Sequence, residues 1–401
     1  MNKTKTLSKL ALVKMGKKII FYIIICIFCF SCNTVECIDF PTINLIAAEH
    51  KRLTMSSIFE TVEYIRLETR DDCLLDNDLK LYVTKHYIIT TDIKQNAALL
   101  FDRKTGKFIK KIGSRGRGPC EFLSLISSHA FDEKNQILYF DQGNKWIGYQ
   151  IETEEIFIIN KPNLGNNGGQ MSVPNFFMLD SIFYYGFVNN FTGNCNIRLV
   201  IFDKMGTIYK TFPNYQIFQK SDPNILSWFS GEYYQFNNNF YFKELYYNDT
   251  IYKVTRDAIC PHIAFFLGNK KPNYFLRESK MRNRDVYDVN LVGECEHYVL
   301  FHFYKNGKSC GGYFDKKLNK TFVCENNTHQ FINGFINDID NMLLFFPRSV
   351  NQAGEFYGKL DSDEVVSFFS KNKKYSLNLN HLSKIKEEDN PVVIIAKAKK
   401  K

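Results

Sequence analysis

One short stretch of text occurs three times and limits what this chain can fold into. Phe101-Asp-Arg-Lys-Thr-Gly106-Lys-Phe-Ile-Lys110 reads as a strand end, a tight turn and a strand start. Phe202-Asp-Lys-Met-Gly206-Thr-Ile-Tyr-Lys210 repeats it with a turn one residue shorter, and Phe314-Asp-Lys-Lys-Leu-Asn319-Lys-Thr-Phe-Val323 repeats it at full length. Gly106 and Asn319 take the same slot, and both residue types accept the left-handed backbone that a hairpin turn demands. Tyr139-Phe-Asp-Gln-Gly143 is a weaker copy. The three strong copies start 101 and 112 residues apart, about twice a propeller blade of roughly 40–50 residues. From Phe40 onward the chain alternates short strand-like runs with turn residues, is rich in Phe (37) and Tyr (23), and shows no long helical periodicity. That rhythm fits an all-β sandwich, barrel or propeller, and a hairpin reused at this spacing selects the propeller. About 340 residues at that blade length supply six or seven four-stranded blades.

The first 31 residues stand outside this pattern. They carry six lysines and no acid, then an apolar run from Ile19 to Phe30, then Ser31-Cys32. Twelve residues rise about 18 Å as a helix, too short for a hydrocarbon core of roughly 30 Å, so a cleaved secretory signal is expected rather than a membrane span. Cys29-Phe-Ser-Cys32 resembles a bacterial lipobox, which makes Cys32 the expected lipidation site. The sequence thus divides into a lipoprotein-type signal over 1–31, a lipid-anchored linker over 32–41, a single propeller over 42–396 and a basic tail over 397–401. Of the formal net charge of +10, six charges leave with the signal and +4 remains. Lys397, Lys399, Lys400 and Lys401 crowd the end. A nucleic-acid binder needs a basic face on its folded part; the near-neutral body argues against one.

A family resemblance accompanies this reading. Val62-Glu-Tyr-Ile-Arg-Leu67-Glu68-Thr69 and Ile112-Gly113-Ser-Arg115-Gly116-Arg117-Gly118-Pro119-Cys120-Glu121-Phe122 resemble the opening and the glycine signature of the six-bladed β-propeller lipoproteins of Bacteroides-type bacteria (NHL/TolB-like propellers). Cys120 stands where that signature has its last glycine. Asn248-Asp-Thr-Ile-Tyr252 and Asp389-Asn-Pro391 resemble later parts of the same family. The resemblance implies six antiparallel blades; the strand before the first blade is expected to join the last and close the ring, which removes open sheet edges. It implies no agreed activity.

The expected function is that of a cell-envelope binding or scaffold module, monomeric and held by its N-terminal lipid, on the periplasmic side of the outer membrane rather than the surface. Its ligand would be a glycan or a protein segment on a propeller face. Arg115 and Arg117, with Glu121, are the candidate binding residues, because guanidinium groups and exposed N–H groups suit anions. The competing and favoured reading makes Gly113, Gly116, Gly118 and Pro119 a turn that routes the chain between blades. Trp146, Trp228, Tyr233 and Tyr234 could stack on sugars, though core or rim packing is the commoner use of such rings. The alternative is a propeller enzyme, a lyase or lactone hydrolase, with a metal or acid–base site in the central channel. No catalytic motif, cofactor fingerprint or metal spacing occurs: His297 and His302, five apart in a strand, would face opposite ways. No cofactor or metal is therefore expected. The eight cysteines after Cys32 are scattered, and most are expected to be buried small apolar groups; Cys310 and Cys324 could bridge from neighbouring strands.

Overall fold

A computed structural model describes residues 40–76, 78–123, 125, 129–165, 172–190, 192–219, 231–244, 247–273, 286–305, 308–324, 332–372, 379 and 381–400. The expected signal and Cys32 lie outside them. The chain first lays down three strands, β1 (Thr42–Asn44), β2 (Glu49–Lys51) and β3 (Phe59–Arg66). Blade 1 follows, with β4 (Leu79–Val83), β5 (Tyr87–Asp92), β6 (Ala97–Asp102) and β7 (Phe108–Lys111) in hydrogen-bonded order. Blade 2 holds β8 (His129–Asp132), β9 (Ile137–Asp141), β10 (Lys145–Gln150) and β11 (Ile156–Asn160). Blade 3 holds β12 (Ser172–Met178), β13 (Phe183–Asn189), β14 (Ile197–Asp203) and β15 (Ile208–Pro213). Blade 4 holds β16 (Gly231–Phe236), β17 (Asn239–Glu244), β18 (Thr250–Val254) and β19 (Ile259–Phe266). Blade 5 holds β20 (Asp288–Glu294), β21 (Tyr298–Lys305), β22 (Lys308–Asp315) and β23 (Lys320–Cys324), with β24 (Ile332–Asn333) pairing β22. Blade 6 holds β25 (Ser349–Val350), β26 (Glu355–Leu360) and β27 (Val392–Ala398), with helix α1 (Ser362–Lys371) between the last two.

β3 supplies the fourth strand of blade 6, antiparallel to β27 from Arg66 opposite Val392 to Phe59 opposite Ala398. Closure of this kind leaves the ring no open seam. β1 and β2 add fifth, parallel strands outside blades 4 and 5, pairing β19 and β23. They cover two edges that would otherwise expose unpaired backbone groups.

Burial explains the local sequence. Second and third strands lie between neighbouring blades and are covered on both faces, so they read as continuous apolar runs. Leu99, Leu100 and Phe101, or Leu199 to Phe202, are almost fully buried. Outer strands alternate: β7 and β15 bury every second side chain more deeply than its neighbour for most of their length.

The repeated hairpin text marks the turn from third to fourth strand in blades 1, 3 and 5, which is why its spacing is two blades. Phe101, Phe202 and Phe314 enter the core. The aspartate after each caps the turn: Asp102 Oδ1 accepts from Thr105 N–H at 2.8 Å, Asp203 Oδ1 from Met205 N–H at 2.9 Å, and Asp315 Oδ1 from Lys317 N–H at 3.0 Å. Gly106 and Asn319 hold φ of +69° and +52°. The weaker copy, Phe140-Asp141, instead closes the turn between second and third strands of blade 2.

The residue after the aspartate ties neighbouring parts of the ring together. Arg103 donates to both carboxylate oxygens of Glu355 in blade 6, at 2.7 and 3.1 Å. Lys316 donates to Glu294, which also receives the Tyr234 hydroxyl of blade 4 at 2.5 Å and contacts His262 Nε2 at 2.8 Å. Cys310 and Cys324 lie on adjacent strands but carry no disulfide, and Cys73, Cys195 and Cys295 are buried thiols. Among the described residues no helix is long and apolar enough to cross a membrane.

Candidate ligand site on the propeller axis

The inner strands β4, β8, β12, β16, β20 and β25 begin at one face, here the upper, and end at the other. Side chains two apart on an inner strand share a face. Lys80 and Tyr82 therefore lie together on β4, as do Tyr233 and Gln235 on β16. Tyr82, Tyr233 and Lys80 remain open to solvent although protein surrounds them on nearly every side. A group in that position lines an internal channel rather than the outer surface.

Tyrosines form the waist of this channel. Burial above all, then the phenols of Tyr233 and Tyr357, pushes the Tyr82 phenol well above its ordinary value. Tyr233 is raised by burial and then by Tyr185 and Tyr357. Blades 1 and 4 stand opposite each other in a ring of six, so Tyr82 and Tyr233 approach across the axis, with Tyr185 of blade 3 and Tyr357 of blade 6 beside them. The Tyr185 hydroxyl is buried and has no hydrogen-bond partner among the described residues. An enclosed hydroxyl without a partner costs about 1–3 kcal/mol, a penalty that a bound polar group would relieve.

At the lower mouth blades 2, 4 and 6 meet. Gln352, on the blade 6 hairpin, donates its backbone N–H to Glu133 Oε2 of blade 2 at 3.0 Å and its side-chain amide to Gln235 Oε1 of blade 4. Burial raises the Glu133 carboxyl to about 7; the nearby Glu355 and Asp132 carboxylates add to this, and the Gln352 N–H opposes it. The lower mouth is thus bridged, and the upper side of the waist is flanked by Lys80. Burial alone lowers the Lys80 ammonium.

The glycine signature sits elsewhere, on the connection from β7 to β8. Arg115 and Arg117 are exposed and make no hydrogen bond or ion pair among the described residues. Glu121 does not face outward with them: its Oε2 accepts the Gly118 N–H at 2.8 Å, and a Cβ at Gly116 would collide with the same carboxylate. Gly116 N–H bonds the Phe122 carbonyl at 3.0 Å, Phe122 N–H the Ser114 carbonyl at 3.0 Å, and the Tyr149 hydroxyl the Cys120 carbonyl at 2.6 Å. Gly113 holds φ of +66°, and a Cβ there would meet the Tyr149 ring at 2.6 Å. The loop is folded on itself and held against blade 2, where Gln142 Nε2 donates to the carbonyls of Gly118 at 2.9 Å and Glu121 at 2.6 Å.

Of the aromatic candidates, Trp146 is a core residue against Phe176 and Phe202, Tyr234 serves the Glu294 cluster, and Trp228 lies outside the described residues. Tyr233 alone reaches the axis. Lys80, Tyr82, Glu133, Tyr185, Gln235, Gln352 and Tyr357 were not marked as a group by any sequence motif. The one available signal was Leu79-Lys-Leu-Tyr-Val83, where a lysine and a tyrosine alternate with apolar residues. Among the described residues, no three His, Cys, Asp or Glu side chains come together in a way that could hold a metal ion.

The fold is shared with an exported protein of Bacteroides fragilis, at 17% identity and a TM-score of 0.66, covering 90% of this chain and 100% of that one. The extracellular domain of a one-component system from Bacteroides thetaiotaomicron matches at 12% identity and a TM-score of 0.34, covering 63% of this chain and 32% of that one. No curated protein matches the sequence. The sequence profile of a domain of unknown function, DUF4934, matches residues 40–397, and the chain belongs to that family.

Proposed function

We propose that the mature chain is a binding module of the bacterial cell envelope, tethered by a lipid on Cys32 at the periplasmic side of the outer membrane. Its ligand, a glycan or a protein segment, enters the axial channel. The observation that carries this is the convergence of phenol, amide and carboxyl groups from blades 1, 2, 3, 4 and 6 on a channel that solvent reaches. Such groups both donate and accept hydrogen bonds, and aromatic walls with a few placed polar groups are the usual make-up of a ligand site. The description of the Bacteroides fragilis protein as exported accords with an envelope location. Arg115, Arg117 and Glu121 then serve the inter-blade turn rather than the ligand.

The test uses the full lipoprotein in detergent against a panel of glycans and extended peptides, alongside Tyr82→Phe and Tyr233→Phe. Each change removes one hydroxyl and keeps the ring. Binding that falls at least tenfold in either variant supports the axial site; binding indifferent to both contradicts it.

The raised Glu133 carboxyl favours a second reading, an acid–base enzyme acting at the lower mouth. A carboxylic acid that titrates near neutrality can hand over and take back a proton. Turnover of a bound glycan, lost in Glu133→Gln while binding persists, would support this reading; intact ligand after prolonged incubation would exclude it for that ligand.

A further inference from the structure

Most cations that the fold confines find partners; among the described residues Lys80 and Arg348 do not, and of the two only Lys80 shares a strand face with Tyr82 at the waist. Arg103 pairs with Glu355 at 2.7 Å, Arg198 with Glu244 at 2.7 Å, Lys161 with Asp141 at 2.8 Å and Arg66 with Asp389 at 2.7 Å. Lys316 pairs with Glu294. Buried Lys243 donates to the carbonyls of Val289 at 2.8 Å and Glu244 at 3.2 Å. Lys80, on the channel wall, has neither an ion pair nor a hydrogen bond among the described residues. Asp92, opposite the neighbouring Leu79, already accepts the N–H groups of Asp76 at 2.7 Å and Gln95 at 3.0 Å, and Asp76 pairs with Lys94 at 2.8 Å. His129 of blade 2, beside Lys80, bonds Thr91 through Nε2 at 2.7 Å and is held neutral, driven down to about 3 by burial and then by Lys80 itself. Lys80 therefore stands as a lone ammonium in a confined, solvent-open space, where an unpaired charge is costly and an arriving anion is attracted strongly.

Two residues along the same strand face, about 7 Å away, Tyr82 presents its phenol at the waist. An acidic sugar satisfies both groups, with an anionic group on one side of its ring and hydroxyls on the other. We infer that the ligand of the axial channel is an acidic sugar, whose carboxylate or sulfate meets Lys80 while its ring hydroxyls meet the phenols of Tyr82 and Tyr233. This rests on the axial site proposed above and adds the ligand's charge and the residue that reads it.

Calorimetric titration of the full lipoprotein tests the inference with three probes: a galacturonic acid trisaccharide, its methyl ester and a sulfated galactose disaccharide. Each is run against the wild type and Lys80→Met, which keeps the length of the side chain and removes its charge. The expected result is at least tenfold tighter binding of an acidic probe than of the ester. That preference should shrink as salt rises and vanish in Lys80→Met, with affinity for the ester unchanged. The carboxylate and sulfate arms show which anion is preferred. Equal binding of acidic and neutral probes by the wild type, or a preference that survives Lys80→Met, overturns the assignment to Lys80 and leaves the axial site standing. No binding of any of the three sugars overturns the acidic-sugar inference, and the peptide arm of the earlier panel then decides whether the axial site itself stands.

Discussion

Single residues carry much of this architecture, and Gly106 is the sharpest case. It holds φ of +69°, and a Cβ there would run into the Arg66 carbonyl of the closing strand. Gly106→Val is expected to cost about 2 kcal/mol or more in urea unfolding, from backbone strain and collision together. Asn319→Gly, at the equivalent slot with φ of +52°, should stay within about 0.5 kcal/mol. Both positions were legible in the sequence, because a turn that needs left-handed backbone selects Gly or Asn. Glu133 was not legible. Its neighbours Gln235 and Gln352 come from blades 4 and 6, and nothing local marks a glutamate after a strand as axial. Its carboxyl titrates near 7 in the fold against an ordinary value of 4.5. An acid with a raised folded value stabilises the fold below its unfolded value and loses that contribution as pH rises through the folded one. The stability of the wild type relative to Glu133→Gln should therefore decline between pH 4.5 and 7. After solvent screening the decline should be on the order of 1 kcal/mol, and guanidinium unfolding at a series of pH values measures it. A flat difference would contradict the burial of that carboxyl.

At the scale of elements, the hairpins were readable and their partnerships were not. Phe-Asp followed by Arg or Lys announces a turn, since the phenylalanine enters the core and the aspartate caps. That Arg103 reaches Glu355 follows only from blade-to-blade docking, and that Lys316 reaches Glu294 follows only from how the strands of blade 5 align. Arg103 and Glu355 are both largely enclosed. Removing either alone should destabilise by about 3 kcal/mol, because the other charge is left unpaired. The double substitution should cost clearly less than the sum, as a double-mutant cycle reads. The glycine signature was recognised as a motif; in the fold Glu121 turns back onto the loop while Arg115 and Arg117 stay exposed. Arg115→Ala with Arg117→Ala should leave the melting temperature nearly unchanged, whereas Glu121→Ala, which frees the Gly118 N–H, should cost about 1 kcal/mol. β1 and β2 had no sequence signal at all. Thr42-Ile-Asn and Glu49-His-Lys are too short for periodicity, and only the uncovered edges of blades 4 and 5 give them a place.

For the whole molecule, hairpin spacing and length limited the count to six or seven blades, the family resemblance pointed to six, and the need to leave no open sheet edge pointed to the closing strand. The channel did not, because it is built from side chains that are neighbours only after the ring closes. The proposed tether is tested by Cys32→Ala, which should move the protein from the detergent phase to the soluble periplasm; retention in the membrane would contradict lipidation. The central claim, that the ligand sits on the axis, is tested most directly by a crystal structure of the protein with a sugar or peptide that binds it. The expected density lies in the channel, with ligand oxygens within hydrogen-bond distance of the Tyr82 and Tyr233 hydroxyls. Density over the Arg115 and Arg117 loop, or on the outer strands with the channel unchanged, would contradict it.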